Sequence, residues 1–433
     1  MTRAQNAALA SSVVALALTS LSGQALAGAF QLNERSAKSQ GMSFADSVSG
    51  AKDPTYAGFN PAALSKVEGF QAAGNLSGVF PISDGETTSA VFNGAPIPVS
   101  AVPGSVETST NADRSGFVPA SALGYRVSDR LAIGLTVNAP FGLSTENPDN
   151  FIGAGDGIQS KLLTVQISPA FAVDVTDRLA LGASMNLLFV DARLTSSVVS
   201  LDGDDLTVGF SVGALWEPID GTQIGLAYHH GYDLDAEVTT DFSPIAPAPL
   251  GLFSGQELQG VVQGDLPATF QVGVTQAITD TMRVSAEFRY INWSVFDELT
   301  TIVPAFDLET DDAQNYRDAI FAAVGGEMDI SDDFTVRVGF AYDKTPTQDT
   351  TALTEASLGR TVRVPDETRL WFSAGISHDM QMFGLDMTVD AGYSYLYAID
   401  DPEVVIRTGP FAGSTVTYDG GAHIFSVGGS VRF

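Results

Sequence analysis

Four histidines, His229, His230, His378 and His423, are the side chains of this 433-residue chain best suited to acid–base or metal chemistry. His229 and His230 are neighbours in an alternating run, so they point to opposite faces of one strand and cannot chelate one ion together. The H-E-x-x-H pattern and the EF-hand loop are absent from the sequence. With no cysteine there is no disulfide, thiolate zinc site, iron–sulfur cluster or Cys nucleophile. Asp202-Gly203-Asp204-Asp205 and Asp311-Asp312 offer the oxygen ligands that calcium takes, but acidic loop tips are more often simply solvated. The balance of 51 acidic against 21 basic residues, a net charge of −30, makes a poor partner for a polyanion, so nucleic acid is excluded. No enzyme, no metal and no cofactor is expected.

What, then, do the elements look like? Met1-Thr2-Arg3, an apolar stretch from Leu9 to Leu21 and the small-x-small end Ala25-Leu26-Ala27 read as a signal peptide over residues 1–27, with Gly28 as the mature N-terminus. No later stretch reaches 18 consecutive apolar residues, so no transmembrane helix is expected. Instead the apolar residues alternate. Leu163, Val165, Ile167, Phe171, Val173 and Val175 share one parity, with Thr164, Gln166, Ser168 and Asp174 on the other. Leu385, Met387, Val389, Ala391, Tyr393, Tyr395 and Tyr397, and likewise Phe334, Val336, Val338, Phe340 and Tyr342, repeat the pattern. Such runs are strands with one apolar and one polar face. They are longer than the ~5–6 residues of soluble strands and match the ~9–11 of a tilted membrane strand.

Short polar turns punctuate the strands: 128–130, 176–178, 217–222, 279–281, 331–333 and 380–384. Between them run longer connections rich in Gly, Pro and Asp, near 144–160, 200–206, 240–265, 300–318 and 345–365, with outer ones near 81–116 and 400–417. Short turns on one side and long loops on the other mark an outer-membrane barrel. Six turns join twelve strands, and one more at each end makes fourteen. The last segment, ending at Phe433, is itself a membrane strand. The fold class is all-β: a 14-stranded antiparallel transmembrane β-barrel over residues 69–433. A secreted β-sandwich or β-helix is the alternative, but neither explains the loop asymmetry.

Residues 28–68 do not alternate. Phe30, Leu32, Phe44, Tyr56, Phe59 and Leu64 are apolar enough to pack, which argues for a plug inside the lumen over a solvated tail. Gly28-Ala29-Phe30-Gln31-Leu32-Asn33-Glu34 and Asn60-Pro61-Ala62 resemble the FadL-type outer-membrane transporters of long-chain fatty acids and other hydrophobic compounds. So do Pro140-Phe141-Gly142-Leu143, Trp293-Ser294-Val295-Phe296 and the run 364–371, and the likeness spans the mature chain. The resemblance implies an N-terminal hatch over 28–68, with Asn60, Pro61 and Ala62 within it and Gly28, Ala29 and Phe30 near an internal apolar pocket. Physically, Pro61 is suited to terminate a local element, and Asn60 to bond neighbouring backbone. Phe30 is either a stopper that moves on ligand binding or a packed core residue.

The resemblance further implies capture of a hydrophobic ligand at outer loops, passage to the pocket, hatch rearrangement and lateral release through a strand kink. Pro140, Phe141 and Gly142 suit a strand break, or else they simply begin an outer loop. Arg193 and Arg317 are the implied cations for a fatty-acid carboxylate. Arg193 shares parity with lipid-facing Leu181, Met185, Leu187 and Phe189, so it needs a bulge to turn inward; otherwise it contacts lipid head groups. Arg283, Arg289 and Arg337 fall on polar faces, where balancing Glu287 and Asp343 is the simpler task. The connection at 200–206 is short, so the apolar stretch 244–253, with Leu250, Leu252 and Phe253, is assigned the capture role, a packed lid being the alternative. The expected partners are a long-chain fatty acid or other hydrophobic small molecule and outer-membrane lipid, with the chain a monomer. Aromatic or alkane cargo is the near alternative; a polar porin or adhesin barrel is the alternative of a different class.

Overall fold

The computed structural model describes residues 28–112, 114–244, 246, 251, 254–354 and 358–433. The signal-peptide reading of 1–27 lies outside the described residues. Fourteen strands form the wall: β1 Phe70–Phe92, β2 Gly116–Ser128, β3 Leu131–Asn138, β4 Gln159–Thr176, β5 Leu179–Thr195, β6 Val199–Ile219, β7 Thr222–His229, β8 Thr269–Ala277, β9 Met282–Ile291, β10 Ala319–Asp329, β11 Phe334–Asp343, β12 Arg369–Met382, β13 Leu385–Ala398 and β14 Thr415–Arg432. Each pairs antiparallel with its sequence neighbours. β14 returns to pair with β1, from Gln71↔Arg432 to Ser89↔Thr415, so the sheet closes into a barrel.

Alternation sets the two faces. Along β5, Leu181, Met185 and Phe189 are exposed on the outside while Ser184, Asn186 and Leu188 are buried within. Tyr125, Trp216 and Phe334 lie outward near the short-turn end, as in an interfacial aromatic girdle. All six short turns fall where the sequence places them. Several long connections do not. β1 continues to Phe92 and β6 begins at Val199, so residues 81–92 and 200–206 are strand, and the outer turn between β5 and β6 is 196–198. Hairpins Tyr232–Phe242 with Leu258–Leu266, and Glu298–Val303 with Leu308–Ala313, occupy parts of two others. Beyond the membrane a strand needs no apolar face, so Asp202, Asp204 and Asp205 stand in a paired ladder that composition alone makes look like loop.

Residues 28–65 are all buried except half-buried Arg35, Ala51 and Lys52. This segment lies inside the ring of strands, and from Ala37 onward it follows the wall round once. Ala37 packs on β13 at Gly392, Gly41 on β12 at Gly375, and Met42 on β11 and β10 at Gly339 and Gly325. Val48 then meets β8 and β7 at Gly273 and Gly225, Asn60 meets β6 at Gly213, and Ala62 meets β5 at Gly182. Leu64 and Val67 finish the circuit at Gly134 of β3 and Gly124 of β2, and the chain runs into β1. All ten of these glycines face each other directly across neighbouring strands: Gly124↔Gly134, Gly182↔Gly213, Gly225↔Gly273, Gly325↔Gly339 and Gly375↔Gly392. A Cβ at Gly339 would run into the backbone of Met42, so bare wall is what lets the two main chains approach.

Polar groups fasten the segment. Lys38 pairs with Asp53 at 2.9 Å and reaches Asp390 of β13 at 3.6 Å. Lys52 pairs with Asp46 at 2.8 Å and Glu327 of β10 at 2.5 Å. Ser47 Oγ and the Val48 N–H both donate to Glu287 of β9. Asn60 caps the 3-10 helix Pro61–Lys66, its Oδ1 accepting from the Ala62 N–H at 3.0 Å while its Nδ2 donates to Val48 O and Ala214 O. Pro61 therefore opens an element rather than terminating one, because its missing N–H is harmless at the first helical position. Replacing Gly339 by Val is expected to leave a heat-modifiable barrel but to undock this segment, at an overpacking cost of about 1–3 kcal/mol. Limited proteolysis and hydrogen exchange over 28–65 would read this, with Gly104→Ala, which meets no atom within 4 Å, as the neutral comparison.

Candidate functional site

The alternation of β3 fails after Thr136. Thr136, Val137 and Asn138 are consecutive yet all buried, and Phe141, Gly142 and Leu143 are buried in the same way. Pairing with β4 stops at Asn138↔Gln166 and resumes at Gly142↔Leu163, so three residues of one strand stand against two of the other. On the opposite side, pairing with β2 ends at Ser121↔Val137, while β2 continues outward through Ala120 and Pro119 to Gly116, paired only to β1. Pro119 has no N–H to leave unmatched there. The wall between β2 and β3 is thus open at the level where 139–141 turn inward. Pro140 and Gly142 interrupt the strand, and they do not begin an outer loop, since Gly142–Glu146 pairs again with β4.

The N-terminal residues take up the freed backbone. Leu32 N–H donates to Pro140 O at 2.8 Å, Gly142 N–H donates to Phe30 O at 2.9 Å, and Gln31 bridges Phe141 between them. The Thr164 hydroxyl of β4 donates to Phe141 O at 2.5 Å and accepts from the Phe141 N–H at 3.1 Å, replacing ladder bonds that the bulge removes. The first residues are tied at their other end to carboxylates. Gly28 N–H donates to Asp343 Oδ2 at 3.2 Å and Ala29 N–H to Asp366 Oδ2 at 2.8 Å. Asp343 also accepts from Trp371 Nε1, and Asp366 pairs with fully buried Arg369 at 2.5 Å.

Between these anchors the Phe30 side chain enters an apolar cluster. Its ring centroid lies 4.8 Å from Trp293, 5.4 Å from Phe296 and 6.2 Å from Phe141. Tyr316 and Tyr232 extend the aromatic set, and Leu143, Leu188, Val190, Leu266 and Ile291 complete an aliphatic side. Aromatic pairs of this kind add roughly 0.5–1.5 kcal/mol each beyond area burial. Tyr232 donates from its hydroxyl to Gln166 Oε1 at 2.7 Å, whereas Trp293 Nε1, fully buried, has no partner among the described residues. Just beneath, burial pushes the Glu34 carboxyl up to about 7, while burial and the neighbouring Arg289 bring the Arg35 guanidinium down to about 10. Arg35 therefore keeps its charge at neutral pH.

Gly28, Ala29, Phe30, Phe141 and, beside them, Pro140 and Gly142 come together at this site. Asn60, Pro61 and Ala62 lie on the far part of the circuit, against β5 and β6. Arg193 and Arg317 do not join the cluster. The register of β5 with β4 and β6 runs unbroken through Arg193, so no bulge turns it inward, and it is ion-paired with Asp202 across the strand. Arg317 is exposed, its backbone N–H bonded to Pro346 O. Leu250, Leu252 and Phe253 lie outside the described residues. Trp293 and Phe296, and Asp366, Arg369 and Trp371, belong to runs that carried the family resemblance without a role. Their signal was the concentration of aromatics and paired charge in short stretches of an otherwise alternating chain.

Residues 18–433 match the family model described as outer membrane protein transport protein (OMPP1/FadL/TodX). The 47 kDa outer membrane protein of Pasteurella multocida is 26% identical over 415 residues, covering 89% of this chain and 90% of that protein. The long-chain fatty acid transport protein of Salmonella typhi is 22% identical over 439 residues, covering 92% and 94%. Among solved structures, a Pseudomonas aeruginosa FadL homologue matches with a TM-score of 0.82 at 20% identity, over 93% of this chain and 99% of that one. The Ralstonia pickettii toluene transporter TbuX matches with a TM-score of 0.60 at 20% identity, over 90% and 97%.

Phe30→Ala removes the ring that holds residues 28–32 in place, a core truncation worth about 3–5 kcal/mol. Amides of Gln31, Leu32 and Gly142 are expected to exchange at least a hundredfold faster in this variant, with amides of β12 and β13 unchanged. Equal protection in both proteins would show that the backbone pairing alone holds the segment.

Proposed function

The chain belongs to the family of outer membrane transport proteins of the OMPP1, FadL and TodX type, and from that premise we propose that it imports long-chain fatty acids passively, with residues 28–68 as a hatch. The family consists of transport channels for hydrophobic compounds in the outer membrane, not enzymes. In this reading cargo is taken up among the outer connections, enters the apolar cluster and takes the place of the Phe30 ring. Residues 28–32 then release 140–142, and the cargo leaves sideways between β2 and β3 into the acyl chains of the membrane.

The observation that carries the reading is the double attachment of Phe30. Its ring fills the aromatic cage while its carbonyl accepts from the interrupted strand, so a molecule competing for the cage acts directly on the segment bonded to the gap. The aliphatic side of the cluster suits an alkyl chain. Each methylene kept out of water is worth about 0.8 kcal/mol, which favours lateral exit into lipid over passage through a wet channel. Downhill transfer of this kind needs no energy source. Aromatic hydrocarbons are the second reading, supported by the three aromatic rings against Phe30 and by the separation of Arg193 and Arg317 from the cluster. The filled interior counts against a polar porin or an adhesin barrel.

A lock tests the mechanism. The chain has no cysteine, so a disulfide between Gln31→Cys and Phe141→Cys, a directly opposed pair, would be the only one. Cells carrying it are expected to take up palmitic acid only after reduction, and equal uptake in the oxidised and reduced forms would sink hatch movement. Purified protein is expected to bind palmitic acid more tightly than toluene; the reverse order would transfer the assignment to aromatic cargo.

A further inference from the structure

On the side of β6 the wall continues beyond the membrane as a collar of four extra strands. The outer part of β6 pairs with Tyr232–Phe242, and Leu258–Leu266, Glu298–Val303 and Leu308–Ala313 follow, each laddered to the one before. Among the described residues the last of them, Leu308–Ala313, has a ladder partner on one flank only. A side chain, not a ladder, ties this strand to the rest of the mouth. Arg407, from the connection between β13 and β14, donates through one Nη to Asp312 Oδ1 at 3.0 Å and Ala313 O at 3.2 Å. Its other Nη donates to Gly359 O. The Asp156 carboxylate fixes the base of this arm, accepting from the Arg407 N–H at 2.6 Å and from the Thr408 N–H and hydroxyl at 2.8 and 2.7 Å. That base belongs to a packed cap, in which Phe151, Ile152, Val362, Ile406 and Phe411 share an apolar cluster of the outer connections.

The hairpin that carries this strand is rooted in the aromatic cage. Phe296 and Tyr316 flank it in sequence, and the N–H groups of Gln314 and Asn315 close its foot on Asp297 O at 2.6 and 2.9 Å. The two rings lie 5.0 Å apart, and Phe296 is 5.4 Å from Phe30. Burial pushes the Tyr316 hydroxyl up, and Asp366, Arg407 and Asp312 are among the charges that act on it. A hairpin that swings therefore carries two walls of the cage with it. We propose that the seam between Leu308–Ala313 and Arg407 is the outer entrance for cargo, with Arg407 as its latch and Asp156 positioning the latch. This rests on the reading of the apolar cluster as the seat of the cargo, and it holds for alkyl and aromatic cargo alike. The strength of the latch suits a gate. Asp312 is 57% exposed, and an ion pair so exposed holds a strand by a factor of about five at most. That keeps the seam shut most of the time and lets it open without an energy source.

The test follows the rates at which methyl palmitate and toluene bind purified full-length mature protein, read by tryptophan fluorescence, since Trp293 lies in the cage. Both ligands are uncharged, so salt acts on the protein and not on the cargo. Wild type is compared with Asp312→Asn, Asp312→Glu and, as the control on the same strand, Asp311→Asn, whose carboxylate bonds to Thr300 within the hairpin. Heat-modifiable migration checks folding. Asp312→Asn is expected to raise association and dissociation rates alike, by roughly two- to fivefold, with Kd unchanged; Asp312→Glu is expected to keep the wild-type rates. In ~1 M salt, where charges are screened beyond about 3 Å, the wild type is expected to reach the rates of Asp312→Asn, and that variant to stay where it was. Rates in Asp312→Asn no different from those in Asp311→Asn would overturn the latch. So would a change confined to dissociation, which marks a residue of the seat and not of its entrance. Binding of neither ligand by the wild type would remove the reading of the cluster as a cargo seat, and the entrance with it.

Discussion

Main chain against main chain is the contact on which the molecule depends. A closed sheet of fourteen strands encloses a lumen, and here that lumen is occupied by backbone of the same chain. Two backbones approach closely only where one carries no side chains, and opposed glycines such as Gly325 with Gly339 and Gly375 with Gly392 provide such bare patches. Where β9 passes the segment it offers Glu287 instead, which receives Ser47 Oγ and the Val48 N–H. The interior is therefore satisfied in two ways, by contact where the wall is smooth and by charge-assisted hydrogen bonds where it is not. Neither the inner segment nor the glycine positions make sense without the other.

A second dependence links the break in the wall to the start of the chain. An interrupted strand leaves N–H and C=O groups without partners, which is expensive away from water. Residues 30–32 accept and donate those bonds, and the Thr164 hydroxyl covers two more. The opening persists because residues 30–32 occupy its polar edge. A wall repaired by its own ladder would be sealed, and one left bare would be unstable.

The barrel was legible because its signals are periodic. Parity along 163–175 and 385–397 and six short polar turns suffice to count strands and orient their faces. The outer connections were harder, since outside the membrane a strand such as that carrying Asp202 to Asp205 loses its apolar face and looks like loop. Parity also warned against Arg193, and the unbroken register around it bears the warning out. The site was less legible. Phe30, Pro140 and Phe141 could be named from resemblance, but Trp293 and Asp366 reach it from stretches far apart in the chain. The glycine pairs were invisible for a similar reason: their opposition exists only once strand register is known, and residues as distant as Gly225 and Gly273 carry no shared mark in one dimension.

The inner segment's path around the wall has a mechanical corollary. A cord wound one full turn inside a closed ring, and continuous at one end with the ring itself, cannot slide out as a body; it would have to unwind. Its fixed end is the entry into β1 at Phe70. At the other end of the described segment, Gly28 and Ala29 are held by hydrogen bonds to Asp343 and Asp366, and residues 30–32 lie against 140–142. In the proposed hatch movement, displacement that begins at Gly28 meets each glycine contact and ion pair in turn, and the part of the winding beyond the last one broken stays docked on the wall.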